Sequence, residues 1–132
     1  MIGFTVGVFD LFHIGHLNML KAASSGCDKL IVGVHDDVLK IKKKEFIYTL
    51  EERIELIRSL KMVAEVTAYQ TVDHKITEID PDIFFVGEDQ NNDYFLKARD
   101  WCKRNNKKVI TLSRTPSISS SLIRERLERI NI

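Results

Sequence analysis

Two apolar runs separated by a helix-length stretch constrain this chain more than any other feature. Residues 2–8 and Lys29–His35 are nearly continuous in apolar residues, the pattern of strands covered on both faces. Between them Leu17, Leu20 and Ser24 recur at helical spacing, with Met19, Ala22 and Ala23 beside them. The spacing predicts a helix from about Gly15 to Ser25, with Gly26 as its C-cap. A strand, a helix and a second such strand make a right-handed βαβ unit.

The turn of that unit carries the chemistry. Residues 7–16 read Gly-Val-Phe-Asp-Leu-Phe-His-Ile-Gly-His. A strand that passes straight into a helix aims backbone N–H groups and a helix N-terminus at one spot, which attracts anions. His13 and His16 add two imidazoles there, and Gly15 between them permits close approach of backbone or ligand. Asp10 just upstream could hold a metal, hold a ligand amine, or simply cap the turn. Together these residues read as a polyphosphate cradle.

The rest of the chain repeats the alternation. Asp36 and Asp37 close the second strand, and residues 40–44 (Lys-Ile-Lys-Lys-Lys) follow it. Either these are a solvated basic loop, or their ammonium groups meet a phosphate at the strand ends where open α/β sheets bind ligands. Thr49-Leu-Glu-Glu52 is a capping box opening a helix with Leu50, Ile54, Ile57 and Leu60 on one stripe. Arg53 in its first turns would by default be an exposed helical residue. Residues 61–66 precede or form a third strand; residues 70–79 are polar, then weakly helical, until Asp80-Pro81-Asp82 breaks them.

Residues 83–86 form the fourth strand, followed by Gly87-Glu-Asp89 and a helix over residues 92–104. We read Tyr94, Phe95, Ala98, Trp101 and Cys102 of that helix as core. Lys108–Leu112 is the fifth strand, and residues 122–130 are helical. Between them Ser113-Arg-Thr-Pro-Ser-Ile-Ser-Ser-Ser121 offers a cation, Arg114, and the hydroxyls of Ser119, Ser120 and Ser121 at a helix start, a second anion site. Arg124 could reach back to a phosphate, but Glu125 and Arg126 read as a solvated face.

The 132 residues fit one domain, 1–132, and 44% hydrophobic with 30% charged residues suits a globular chain. A net charge of +1 gives no basic field for nucleic acid. No apolar run approaches a membrane span. Cys27 and Cys102 are isolated and His13/His16 is the only tight histidine pair, so no protein-held metal site is expected. No signal segment opens the chain, and with two lone cysteines the expected compartment is the cytoplasm. There is no G-x-x-x-x-G-K-[ST] and no G-x-G-x-x-G, so neither a P-loop nor nicotinamide binding has support.

The ten-residue block at 7–16 resembles the HxGH signature of the small nucleotidyltransferases, and its Phe-Asp-Leu-Phe-His lead-in resembles the cytidylyltransferase branch, glycerol-3-phosphate cytidylyltransferase in particular. Residues 114–121 resemble that family's Arg-Thr-x-Gly-Ile-Ser-Thr-Thr element, with Pro116-Ser117 in place of Glu-Gly. Glu51-Glu52-Arg53 resembles its Glu-x-Arg, and Gly87-Glu-Asp89 its Gly-x-Asp. The resemblance implies a Rossmann-like α/β fold, a parallel five-stranded sheet with helices on both faces. It implies cytidylyl transfer from CTP, with Mg²⁺, to sn-glycerol 3-phosphate, giving CDP-glycerol for cell-wall or capsule synthesis, by a homodimer.

By that resemblance His13, His16, Lys44 and Arg114 are catalytic, and Lys42, Lys44 and Asp37 bind the acceptor, with Lys43 an alternative register. Gly7, Val8, Phe9, Asp10, His13, His16, Gly87, Asp89, Arg114, Ser119, Ser120 and Ser121 bind the nucleotide. Lys61 and Ala64 depart from the family's Arg-Tyr-Val-Asp-Glu-Val, and lysine lacks the planar fork of arginine. Three alternatives stand beside the main expectation: another acceptor (a sugar phosphate, ethanolamine phosphate or pantetheine phosphate), ATP as donor, or a nucleotide-binding module without turnover.

Overall fold

A computed structural model describes residues 1–36, 46–116 and 118–130. Strands and helices alternate along the chain. They are β1 (Ile2–Gly7), α1 (Ile14–Ser25), β2 (Lys29–His35), α2 (Leu50–Arg58), β3 (Glu65–Tyr69), α3 (Val72–Ile79), β4 (Ile83–Gly87), α4 (Asp93–Arg104), β5 (Lys108–Leu112) and α5 (Ser120–Ile130). The strands form one sheet in the order β3-β2-β1-β4-β5, parallel at every pairing. This is the expected Rossmann-like α/β architecture.

The period-two alternation of strand side chains divides the core between two faces. Phe4 and Val6 of β1, Phe84 and Val86 of β4, and Ile31 and Tyr69 meet α3 and α4 through Val72, Ile76, Phe95, Ala98 and Cys102. Leu30, Val32 and Val34 of β2 and Ile83 and Phe85 of β4 meet α1 and α2 through Leu20, Ala23 and Ile57 on the other face. Both faces of the central strands are therefore dry, which is why the sequence shows runs there rather than alternation.

Helix starts follow local chemistry. The hydroxyl of Thr49 accepts from the Glu52 N–H at 3.1 Å, and the Glu52 carboxylate accepts from the Thr49 N–H at 2.9 Å, the reciprocal capping box. The Asn92 side chain caps α4 by accepting from the Phe95 N–H at 3.2 Å.

Several sequence expectations shift. Residues 61–64 precede β3, and the Ala64 N–H reaches Leu30 O at 2.9 Å. Gly26 follows α1 with φ −95°, so it is no left-handed cap. A Cβ there would lie 2.9 Å from Phe85 Cζ, so close packing, not backbone freedom, demands glycine. Tyr94 is exposed rather than core, and Trp101 is half-buried against the α3–α4 core. Among the described residues no helix is long and apolar enough to cross a membrane.

The order 3-2-1-4-5 reverses direction between β1 and β4. At such a switch point the connections leave in opposite directions and open a crevice beyond the strand ends. β1 and β4 pair only at Gly3↔Ile83 and Phe4↔Phe84. Beyond that the Gln90 side chain spans them, accepting from the Gly87 N–H at 2.8 Å and donating to Val6 O at 2.9 Å.

Candidate functional site

The turn after β1 is built to hold His16. Phe9 has φ 58° and Leu11 φ 50°, left-handed values that cost an L-residue about 1 kcal/mol or more each. Phe9 is 1% exposed, its ring folded back so tightly that a Cβ on Gly7 would lie 2.7 Å from it. That ring meets His16 edge-on at 5.4 Å between centroids, and Phe12 stacks on the same imidazole at 5.4 Å. His13 covers it at 3.8 Å with 23° between planes. Gly7 and Phe9, expected to bind nucleotide, lie directly behind His16.

Both imidazoles are anchored through Nδ1. His13 is the N-cap of α1 and its Nδ1 accepts from the Gly15 N–H at 3.0 Å, while His16 Nδ1 accepts from the His13 N–H at 3.2 Å. This is a capping box made from histidines. A neutral ring whose Nδ1 accepts must carry its proton on Nε2. Burial, and then the Arg114 charge, lower the pKa of His13; burial, and then His13, lower that of His16 to about 4. At neutral pH the turn therefore offers two uncharged Nε2–H donors, orientated by their caps. The backbone N–H groups of Gly15 and His13 are already used by the rings, so those expected donors are replaced by imidazole N–H groups. Gly15 is required by the imidazole itself, since a Cβ would lie 2.8 Å from His13 Cε1.

Asp10 is 6% exposed. Its carboxylate accepts from the Ile47 N–H at 3.1 and 3.0 Å and from the Tyr48 N–H at 3.0 Å, and it pairs with Arg124. Its backbone oxygen accepts from Ser120 Oγ at 2.6 Å. Asp10 thus fastens the turn to two other segments.

Arg53, whose default reading was an exposed helical residue, is completely buried. Its Nη1 donates to Val8 O at 3.1 Å and His35 O at 2.8 Å, and its Nε to Tyr48 O at 3.2 Å, with Phe46 over the guanidinium at 4.6 Å. It ties the ends of β1 and β2 to residues 46–48. The planar fork suits this role because it reaches several carbonyls at once.

The second block meets the first. Arg114 donates its N–H to Glu88 at 3.1 Å and lies 3.7 Å from Asp89, so the turn after β4 presents this cation beside His13. Asn18 donates to Thr115 Oγ1 at 3.1 Å. Ser119 Oγ accepts from the Leu122 N–H at 3.1 Å and caps α5, while Ser121 is exposed. Gly87 ends β4, where Gln90 links its N–H to Val6 O of β1, and Asp89 follows two residues on. Lys42, Lys44 and Asp37, with Lys40 and Lys43, lie outside the described residues.

Nothing in the sequence spacing marks Gln90, which bridges the diverging strands, or Glu88, which accepts from the Arg114 N–H. The sequence offers Arg124 as a residue that could reach back to a phosphate beside the solvated Glu125 and Arg126, and the structure pairs it with Asp10. Its signal was there: it stands four residues after Ser120, on the same side of the helix. Among the described residues no three His, Cys, Asp or Glu side chains gather as a metal site.

The model of the family described as cytidylyltransferase-like matches residues 4–126. The chain belongs to this family. It is 35% identical over 126 residues to the glycerol-3-phosphate cytidylyltransferase of Bacillus spizizenii, covering 92% of each chain. It is also 44% identical over 89 residues to the FAD synthase of Thermococcus onnurineus, a match covering 64% of this chain and 59% of that protein. Among solved structures, the lipopolysaccharide core biosynthesis protein of Thermoplasma volcanium is similar with a TM-score of 0.73 at 26% identity, over 87% of this chain and 96% of that one. Family membership makes this cytidylyltransferase-like chain a nucleotidyltransferase, and the relatives' differing names leave its substrates to be proposed.

Proposed function

We propose that this enzyme transfers a cytidylyl group from CTP to an alcohol phosphate, sn-glycerol 3-phosphate, releasing CDP-glycerol and pyrophosphate. The observation that carries the reading is the stacked His13–His16 pair, two neutral Nε2–H donors held by their caps beside Arg114. The similarity across 92% of a glycerol-3-phosphate cytidylyltransferase supports the donor and the acceptor.

An acceptor phosphate dianion is already nucleophilic at neutral pH, so the reaction needs no general base. An acceptor oxygen bonds to the α-phosphorus as the bond to the pyrophosphate oxygen breaks, and the electron pair leaves on pyrophosphate. The protein contributes positioning and charge stabilisation. His13 and His16 donate to the triphosphate oxygens, Arg114 neutralises the leaving pyrophosphate, and Ser119 and Ser121 through their hydroxyls, with Ser120 through its backbone N–H because its hydroxyl is donated to Asp10 O, bind phosphate at the α5 N-terminus. Gly7, Val8, Phe9, Asp10, Gly87 and Asp89 frame the nucleotide. Lys42, Lys44 and Asp37 take the acceptor.

Near the turn the buried Asp10 carboxylate is taken up by Arg124 and two backbone N–H groups, whereas Glu88 and Asp89 are exposed beside Arg114. In this reading Mg²⁺ would enter with the nucleotide and supply charge neutralisation at its phosphates. A cytoplasmic homodimer completes the reading.

The similarity to FAD synthases favours a second reading, adenylyl transfer from ATP to a flavin phosphate. A cradle of imidazoles and serines reads phosphates, not bases, and serves either donor. Pyrophosphate release should be measured with CTP, ATP, GTP and UTP, each with glycerol 3-phosphate and with flavin mononucleotide. Release with CTP that depends on glycerol 3-phosphate is the expected result. Release only with ATP and flavin mononucleotide would replace it with the second reading.

A further inference from the structure

We propose that Arg124 is a positioning residue for the transfer reaction: paired with Asp10, it seats the first turn of α5, and with it the serine hydroxyls, on the histidine turn. This rests on the reading above, in which the serines and histidines grip one triphosphate.

Burial holds α5 only weakly, since Ile123 alone of its apolar residues is half-buried. None of its residues is buried, and Leu122, Leu127 and Ile130 are 36%, 48% and 75% exposed. A helix normally gains most of its stability by burying an apolar face. Here two polar contacts from its first two turns meet on Asp10. Ser120 Oγ donates to Asp10 O at 2.6 Å, and the Arg124 guanidinium pairs with the Asp10 carboxylate. The i, i+4 spacing brings both to the same target. Upstream, the Asn18–Thr115 hydrogen bond and the approach of Ile118 to Gly15 fasten the loop rather than the helix.

Asp10 is suited to be the fixed end of this latch. It lies between two left-handed residues, Phe9 and Leu11, and its carboxylate also accepts from Ile47 and Tyr48. A strained turn persists only where its surroundings over-determine it. Arg124 is the arm that reaches it from the far end of the chain. Its side chain is 26% exposed and that of Asp10 6%, so the pair is shielded enough to matter more than a surface ion pair. The consequence is geometric. Serines that must meet the same phosphates as the imidazoles tolerate little displacement.

The test uses the whole 132-residue chain with Arg124→Gln, Arg124→Lys and, as a charge-matched control, Arg126→Gln at an exposed position on the same helix. Amide hydrogen exchange is followed without nucleotide, and KM and kcat with each nucleotide. Arg124→Gln is expected to speed exchange across residues 120–130 by roughly tenfold or more, with strand protection unchanged. It should raise the nucleotide KM by about tenfold with a smaller change in kcat. Arg124→Lys should recover part of both, and Arg126→Gln should match the wild type. The proposal is overturned if Arg124→Gln exchanges like wild type, if Arg126→Gln behaves like Arg124→Gln, or if the sheet loses protection too. A wild type that releases no pyrophosphate with any nucleotide sinks the transfer reading, and with it the reaction role of Arg124. The exchange data still decide whether the latch exists.

Discussion

His16 has its protonation state set by the fold. Burial and the neighbouring His13 ring bring its pKa from 6.5 down to about 4. Between those values the unfolded chain takes up a proton that the folded protein refuses. Stability therefore falls as pH drops from about 6.5 to about 4 and levels off below. Urea unfolding midpoints should decline between about pH 7 and about pH 4.5, and His16→Gln should flatten that decline; an unchanged slope would show that the ring is not buried neutral. In the proposed reaction the same residue donates to the reacting phosphates. His16→Ala should lower kcat by about 10²–10³, the cost of losing one preorganised donor to transition-state charge. Gly15→Ala would place a Cβ 2.8 Å from His13 Cε1, so it should lower kcat by displacing the imidazole. A Gly15→Ala enzyme with normal turnover would remove His13 from the reaction.

The elements differ in what holds them. α2 is set by a capping box that is local in sequence, and Thr49→Ala should cost about 1 kcal/mol in chemical denaturation. Its position over the sheet depends on Ile57, which is fully buried, and so on tertiary packing. α1 also opens on a capping box, but one made of histidines, which the usual Ser/Thr/Asp signal does not disclose. Asp10 was legible as a residue of the turn but not as a fastener, because its partners, Ile47, Tyr48 and Arg124, lie up to 114 residues away and two are backbone N–H groups that carry no residue identity.

At the scale of the molecule, the site exists because three distant parts of the chain share one sheet edge. Arg53 shows the dependence. It fastens carbonyls at the ends of β1 and β2 and in residues 46–48, so Arg53→Met would leave one buried and two part-buried acceptors without it. Each such group costs about 1–3 kcal/mol. Equilibrium unfolding should show a loss of about 3 kcal/mol or more, and Arg53→Lys should restore only part, because an ammonium lacks the fork. Nothing at position 53 announces this. A helical Arg after two glutamates is ordinarily exposed, and only packing against the strand ends buries it.

The amino-acid sequence by itself determined the alternation of strands and helices, the parallel sheet and the two chemical blocks. Those follow from apolar periodicity and from residue types within ten positions of one another, which are local properties. Only the tertiary structure decided which groups are spent and which remain to act. It commits the Asp10 carboxylate and the Arg53 guanidinium to holding the turn, and the cap N–H groups to the imidazoles, leaving Nε2 as the donor. Hydrogen bonds between residues far apart in sequence make those assignments, and they form only when the sheet brings both ends of the chain to one edge.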